Sequence, residues 1–179
     1  YSIPAGASIK ISLRDSDSYQ NTYGVLADLS LEDDMLDAVE SVSTIGSASR
    51  KLDNSSESLV LFYWDGSSEV VKDIDYLLWG DNSFAIDKSD VSGYEPDTPV
   101  GSQSFMPFHV TEQKLMRLTN SDEGSENQAG GNGITGHDET SEPLSETWTV
   151  VSLTSSKPDI SELSLTPSSP TIESMLTFS

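Results

Sequence analysis

Apolar and polar positions alternate most clearly over residues 58–80, where the pattern predicts a β-hairpin. Residues 59–64 form an apolar and aromatic run, and the turn-forming stretch Asp65-Gly66-Ser67-Ser68 interrupts it. The second run divides its side chains between two faces of a strand: Val70, Ile74, Tyr76 and Leu78 on one, and Val71, Asp73 and Asp75 on the other. Because a half-buried strand turns its polar side chains to solvent, we expect Asp73 and Asp75 on the exposed face.

Several shorter segments predict further strands around this hairpin. Ile9, Ile11 and Leu13 alternate strictly and predict a strand with one buried face. Three later segments predict short strands: residues 105–110, 114–119 and 148–151. Residues 81–104 and 120–146 are polar and predict a long surface loop and a polar insert. Short strands separated by turn clusters are typical of an all-β sandwich.

Helical signals are few. Residues 15–24 open with capping side chains and end in Gly24, which predicts one or two helical turns closed by a left-handed glycine. We expect less than about a tenth of the chain to be helical, against about a third in an ordinary globular protein.

The hydrophobic rhythm changes after Pro158, which lies in a linker rich in Ser and Thr. We therefore place one domain at residues 1–155, and at residues 156–179 a linker with the first strands of a second, truncated β-module. The second segment resembles the opening of an immunoglobulin- or fibronectin-III-like module.

The charge balance narrows the possible partners. The 179 residues include 9 Lys and Arg against 30 Asp and Glu, a formal net charge of −21. A surface this negative repels nucleic-acid phosphates, so we expect no direct nucleic-acid binding. No apolar run approaches the length of a membrane-spanning helix, so no membrane insertion is expected. The chain has no cysteine, which excludes disulfide and thiolate chemistry.

The hairpin sequence LVLFYWDG, followed by DIDYLLWG, resembles the central hairpin of lamin tail domains from secreted multidomain prokaryotic proteins. The opening residues 1–24 and the segment GGNGITGHDETSEPLSETW are also similar to that family, and the resemblance covers about residues 1–151. It implies an immunoglobulin-like β-sandwich in a secreted or cell-surface setting. The family's usual first strand has no counterpart here, so either the sequence is cut at that point or the sandwich is completed in another way. Because Tyr1 is not an initiator methionine, a signal peptide could have preceded the chain.

Calcium is the cation that the acidic segments suit best, because it binds carboxylate and carbonyl oxygens. The candidate ligands are Asp122, Glu123, Asp138 and Glu139, with Glu126 and Glu142 nearby and a second acidic group at Asp87, Asp90, Glu95 and Asp97. Neither group has the spacing of a known calcium loop, so solvated surface charge is the simpler interpretation of both. His137 among these carboxylates gives no complete transition-metal set, and a polar loop is the simpler interpretation.

The remaining motifs indicate structure. The run Gly130-Gly131-Asn132-Gly133 lacks the residues of a phosphate-binding loop and indicates flexibility. No nucleophile elbow G-x-S-x-G occurs. Tyr63, Trp64, Tyr76 and Trp79 are expected in the core, with a sugar-stacking platform as the alternative.

These observations predict a non-catalytic, secreted adhesion, scaffold or anchoring module with a protein or cell-surface partner. The first alternative is a module that binds calcium or carbohydrate. The second is an accessory domain of a secreted hydrolase or nuclease whose catalytic domain lies elsewhere. No catalytic residue and no obligatory cofactor are assigned.

Overall fold

The computed structural model describes residues 2–34, 52–118 and 125–153. In chain order the longer elements are β1 (Ile11–Ser12), α1 (Ser16–Tyr23), β2 (Leu29–Ser30), β3 (Glu57–Tyr63), β4 (Lys72–Trp79), β5 (Gln113–Arg117), α2 (Leu144–Thr147) and β6 (Trp148–Ser152). Single 3-10 turns occupy Asn82–Phe84, Val100–Ser102 and Glu139–Ser141. Asp122, Glu123 and the expected second module at 156–179 lie outside the described residues.

The strands form three two-stranded sheets. β1 and β2 run parallel, whereas β3–β4 and β5–β6 are antiparallel. Within the described ranges the α-helices have eight and four residues. The expectation of a β-rich fold with little helix is therefore confirmed at that level. No described helix is long and apolar enough to cross a lipid bilayer.

The predicted hairpin is confirmed, and its turn explains its position. β3 pairs with β4 from Glu57 opposite Trp79 to Tyr63 opposite Lys72, with a bulge between Leu61 and Phe62. The Asp65 carboxylate accepts hydrogen bonds from the backbone N–H groups of Ser67 (2.8 Å) and Ser68 (2.7 Å). Gly66 supplies the left-handed backbone that such a turn needs, with φ of 84°.

The burial of the hairpin differs from the predicted alternation. Tyr76, Leu77, Leu78 and Trp79 are all buried, so the end of β4 is covered on both faces. They form the apolar core with Met106 and Leu144. β3 is the outer strand, because its apolar side chains from Leu59 onward are largely exposed.

The aromatic residues of the hairpin divide accordingly. Tyr76 and Trp79 lie in the core as expected, and burial raises the pKa of Tyr76 to about 12. Tyr63 and Trp64 are 48% and 56% exposed, so the core expectation is wrong for this pair. The Trp64 indole N–H donates to the Ser68 carbonyl oxygen (2.9 Å), which holds the ring beside the turn.

The helical prediction near the N-terminus is confirmed. The Asp15 carboxylate caps α1 by accepting from the Ser18 N–H (2.7 Å), and Gly24 closes it with φ of 71°. The adjacent strand is shorter than predicted, and the prediction of which of its faces is buried is wrong. Ile11 is exposed and Ser12 is buried, because the Ser12 hydroxyl oxygen accepts from the Arg14 N–H (3.2 Å) inside the turn.

Two other predictions are wrong for a shared reason, namely contacts between distant segments. Residues 105–110 form no strand, because Met106 alone bridges to Trp79 while its neighbours leave the sheet. Residues 81–104 are more than a surface loop, since Gln103 is buried and fixes them to the core. The Gln103 side chain accepts from the Tyr76 hydroxyl (2.8 Å) and donates to the carbonyl oxygens of Ile86 and Thr98. The later strand predictions hold as β5 and β6.

Candidate metal centre

Six charged or titratable side chains from distant parts of the chain meet beside β4, and we call this group the carboxylate centre. Its members are Asp75, Arg117, Glu126, His137, Glu139 and Glu142. Carboxylate oxygens of Asp75, Glu139 and Glu142 lie within 4.8 Å of one another. Ligand atoms of Glu126, His137 and Glu139 form a second set of the same size. Glu139 belongs to both sets, so the two sets are neighbours.

A short turn carries Glu139, and two further members of the centre, His137 and Glu142, flank it. Residues Glu139–Ser141 form a 3-10 turn, and the Asp138 carboxylate caps it by accepting from the Thr140 N–H (3.1 Å). The Asp138 N–H donates to the Asn127 carbonyl oxygen (2.9 Å), which brings the Glu126 region alongside the turn. The segment ahead of the turn is bound to β4, since the Ile134 N–H donates to the Asp73 carbonyl oxygen (3.0 Å).

The glycine run is a packing element, so its interpretation as flexible chain is wrong. A side chain at Gly131 would overlap the backbone of His137 and Asp138, and one at Gly133 would overlap the His137 ring. Because these two positions have no side chains, the His137 ring can pack against the glycine backbone and is only 1% exposed.

His137 is consequently buried rather than placed in an open polar loop. One ring nitrogen lies 2.5 Å from the Thr135 hydroxyl and the other lies 2.7 Å from a Glu139 carboxylate oxygen. The imidazole therefore fixes the orientation of Glu139, the residue that the two ligand sets share.

Arg117 at the end of β5 brings positive charge into the centre. Its guanidinium donates to Glu142 (2.9 Å) and pairs with the Asp75 carboxylate. The Trp148 ring covers the guanidinium, with 4.5 Å between the guanidinium carbon and the ring centroid. The centre still holds more carboxylates than cationic groups, which is costly at this depth unless a cation is added.

Glu142 is the most unusual member. It is 1% exposed, and its Oε2 atom has no hydrogen-bond partner in the part of the chain that the structure describes. Burial raises its pKa, and the charges of Asp75 and Glu126 add to this, while Thr147 and Arg117 act in the opposite direction. The Thr147 hydroxyl is nearby, but its hydrogen bond goes to the Pro143 carbonyl oxygen (3.4 Å).

The structure changes the list of candidate ligands. Glu139 lies in the centre as a candidate, but the Asp138 carboxylate is engaged as a turn cap and by the Thr98 hydroxyl (2.7 Å). Asp87, Asp90 and Glu95 are exposed and belong to neither ligand set. Asp75 was expected on a solvent face and was not among the predicted ligands. The signal for it was a second aspartate in a strand that is otherwise apolar.

The oxygen set of Asp75, Glu139 and Glu142 suits a hard cation such as Ca²⁺. A transition metal would be favoured where His137 adds its nitrogen to Glu126 and Glu139. No family model matches the sequence, and no curated protein or solved structure was found to be similar to it.

Proposed function

We propose that this protein is a non-catalytic, divalent-cation-binding β-module, with Ca²⁺ as its principal ion and Asp75, Glu139 and Glu142 as first ligands. The observation that carries this proposal is the buried Glu142 Oε2 atom without a hydrogen-bond donor. A buried carboxylate oxygen of this kind costs free energy unless a donor or a cation meets it. A cation within reach of all three carboxylates meets this need.

The ion would connect parts of the fold that are far apart in sequence. Asp75 belongs to β4, Glu139 to the 3-10 turn, and Glu142 to the short link between that turn and α2. Calcium accepts six to eight oxygen ligands in flexible geometry, so backbone carbonyls and water can complete three carboxylates. Binding would therefore stabilise the contact between the hairpin and the C-terminal part of the described chain.

The wider role that we propose follows the resemblance to lamin tail domains. In that interpretation the chain is an immunoglobulin-like sandwich in a secreted or cell-surface protein, where it serves as an adhesion, scaffold or anchoring module. Calcium at extracellular concentrations can fill sites with dissociation constants of about 10⁻⁴–10⁻³ M. A weak calcium site would thus suffice to stiffen a module in that setting.

Calorimetric titration of the chelator-treated full chain with CaCl₂ tests the cation site. We expect saturable binding to the wild-type chain, and binding that is weaker by about tenfold or more in Glu142→Gln. Glu146→Gln is the matched control, because Glu146 lies four positions away and its side chain is exposed. Wild-type protein that binds no calcium at millimolar concentration, or equal binding by Glu142→Gln, would contradict the proposal.

A carbohydrate-binding role is the second candidate, and the exposure of Tyr63 and Trp64 favours it. Aromatic side chains with a free face stack on sugar rings. Native gel electrophoresis in gels containing soluble polysaccharides measures such binding as retardation. Retardation that Trp64→Ala removes would support this role, and unretarded wild-type protein in every polysaccharide would refute it.

A further inference from the structure

A second buried group lies beside the carboxylate centre, and we call it the lysine triad: Asp73, Lys88 and Asp97. The Lys88 ammonium group pairs with the Asp73 carboxylate and lies 3.5 Å from Asp97 Oδ1. The side chains are 14% (Lys88), 5% (Asp73) and 1% (Asp97) exposed. Asp73 was expected on a solvent face, so this burial corrects the sequence analysis.

The triad is held rigidly from several directions. The Asp97 carboxylate accepts from the Lys88 backbone N–H (2.7 Å) and from the Asn132 side-chain amide (2.9 Å). The backbone of Asp73 bonds on both sides to the glycine run, since its N–H donates to the Asn132 carbonyl oxygen (3.0 Å) and its carbonyl accepts from Ile134. The Lys88 nitrogen and the Asp73 carboxyl group are therefore fixed beside each other.

An aromatic ring borders the lysine end of the triad. The Tyr94 ring lies 5.4 Å from the Lys88 nitrogen, and the Tyr94 hydroxyl accepts from the Val71 N–H (2.9 Å), which keeps the ring in place. Proton transfer from ammonium to carboxylate within the pair gives a neutral amine beside a neutral carboxylic acid.

We propose that the lysine triad is an autocatalytic cross-linking site, at which Lys88 Nζ and Asp73 Cγ join in an intramolecular amide bond. The nitrogen lone pair attacks Cγ and forms the C–N bond. The Asp97 carboxylate accepts a proton from that nitrogen and returns it to the departing hydroxyl. The C–O bond breaks, one water molecule leaves, and no atom is oxidised or reduced.

Fixed geometry lowers the barrier to such a step, because the two reacting groups need no diffusive encounter. The product would join β4 to the segment after the Asn82–Phe84 turn. It would give this cysteine-free chain a covalent link that reducing agents do not break. The cross-link is independent of the proposed cation site, because the triad contributes none of that site's ligands.

Intact-mass spectrometry of the purified full chain under denaturing conditions tests the cross-link. We expect a mass lower than the sequence mass by one water molecule, and a proteolytic fragment in which the Asp73 and Lys88 peptides are joined. A folded wild-type sample that keeps the full sequence mass after prolonged incubation at neutral pH would overturn the proposal.

Two variants separate this reaction from other losses of water. Lys88→Arg keeps the positive charge but lacks the attacking amine, and Asp97→Asn lacks the proton carrier, so we expect the full sequence mass in both. Dehydration at the Asp65-Gly66 pair would give the same mass change, yet its fragment would carry no Lys88 peptide. Loss of water that persists in Lys88→Arg, together with a wild-type digest that contains no joined Asp73 and Lys88 peptides, would therefore refute the cross-link.

Discussion

At the scale of single residues, the clearest feature is that both aspartates of β4 have cationic partners, Asp73 fully buried and Asp75 with its side chain 34% exposed. Asp73 meets Lys88, and Asp75 meets Arg117, although these cations lie in other segments. The alternation rule assigned both aspartates to solvent, because a sequence pattern contains no information on partners that arrive from elsewhere in the chain. Buried acidic groups are retained where such partners, or a cation, compensate the lost hydration.

Substitution of Gly133 tests whether the burial of His137 requires a glycine at this position. In Gly133→Ala the new methyl group overlaps the His137 ring, which cannot retreat because it is buried. We expect the free energy of unfolding to fall by about 1–3 kcal/mol, the usual cost of overpacking. Urea denaturation measures this. Gly101→Ala is the control, since nothing lies within 4 Å of its new methyl group. Equal stability of the two variants would show that the packing of His137 does not require a glycine at position 133.

The exposed face of β3 predicts a contrast between two tryptophans. Trp64→Ala removes a largely exposed ring, so the free energy of unfolding should change by no more than about 0.5 kcal/mol. Trp79→Ala removes a ring that is 1% exposed and whose indole N–H donates to the Asp53 carbonyl oxygen (2.7 Å). Its cost should be about 3–5 kcal/mol. Guanidinium denaturation of both variants measures the difference, and a large loss in Trp64→Ala would place that ring in a core.

At the scale of elements, the sequence predicted those whose signals are local. The helix α1 has its capping aspartate and its closing glycine within ten residues, and the hairpin has its turn between its own strands. The segment 81–104 could not be predicted, because its order depends on Gln103 meeting Tyr76 and on Asn132 meeting Asp97. The carboxylate centre is non-local in the same way. Glu139 could be identified as a candidate ligand from its acidic neighbours in the sequence, whereas Asp75 could be identified only from the three-dimensional structure.

The hairpin turn should open in acid. Hydrogen bonds from Ser68 and Ser67 lower the pKa of Asp65 below its ordinary value of 3.8. A carboxyl group whose pKa is lower in the folded than in the unfolded chain stabilises the fold at pH values above its unfolded pKa. This contribution is lost progressively as the pH falls below about 3.8. We expect Trp64 fluorescence to change in that range, because its ring is bonded within the turn.

The measurement uses a chain in which Trp79 and Trp148 are replaced by Phe, so that the emission reports Trp64 alone. Asp65→Asn is the control, since its amide cannot titrate and the fluorescence change below pH 4 should disappear. A change of equal size in that variant would assign the acid response to another group.

At the scale of the whole molecule, the formal charge of −21 sets two responses to added ions. Repulsion among carboxylates destabilises the compact state, and any salt screens it. A specific calcium site behaves differently, because its stabilisation grows with the logarithm of calcium concentration above the dissociation constant. The two responses therefore separate when calcium and sodium are compared at matched ionic strength, where screening is the same.

Thermal melting in sodium and calcium chloride at matched ionic strength distinguishes these responses. Sodium should raise the melting temperature of the wild-type chain and of Glu142→Gln by similar amounts, because the two chains differ by one charge among many. Calcium should raise the melting temperature of the wild-type chain beyond the sodium effect. At one hundred times the dissociation constant, binding should add about 2.7 kcal/mol to the free energy of unfolding. Glu142→Gln should lose that excess and keep the screening response. Equal responses to sodium and calcium in the wild-type chain would show that the carboxylate centre binds no calcium. Its role would then be structural, with Arg117 as the cation that balances its carboxylates.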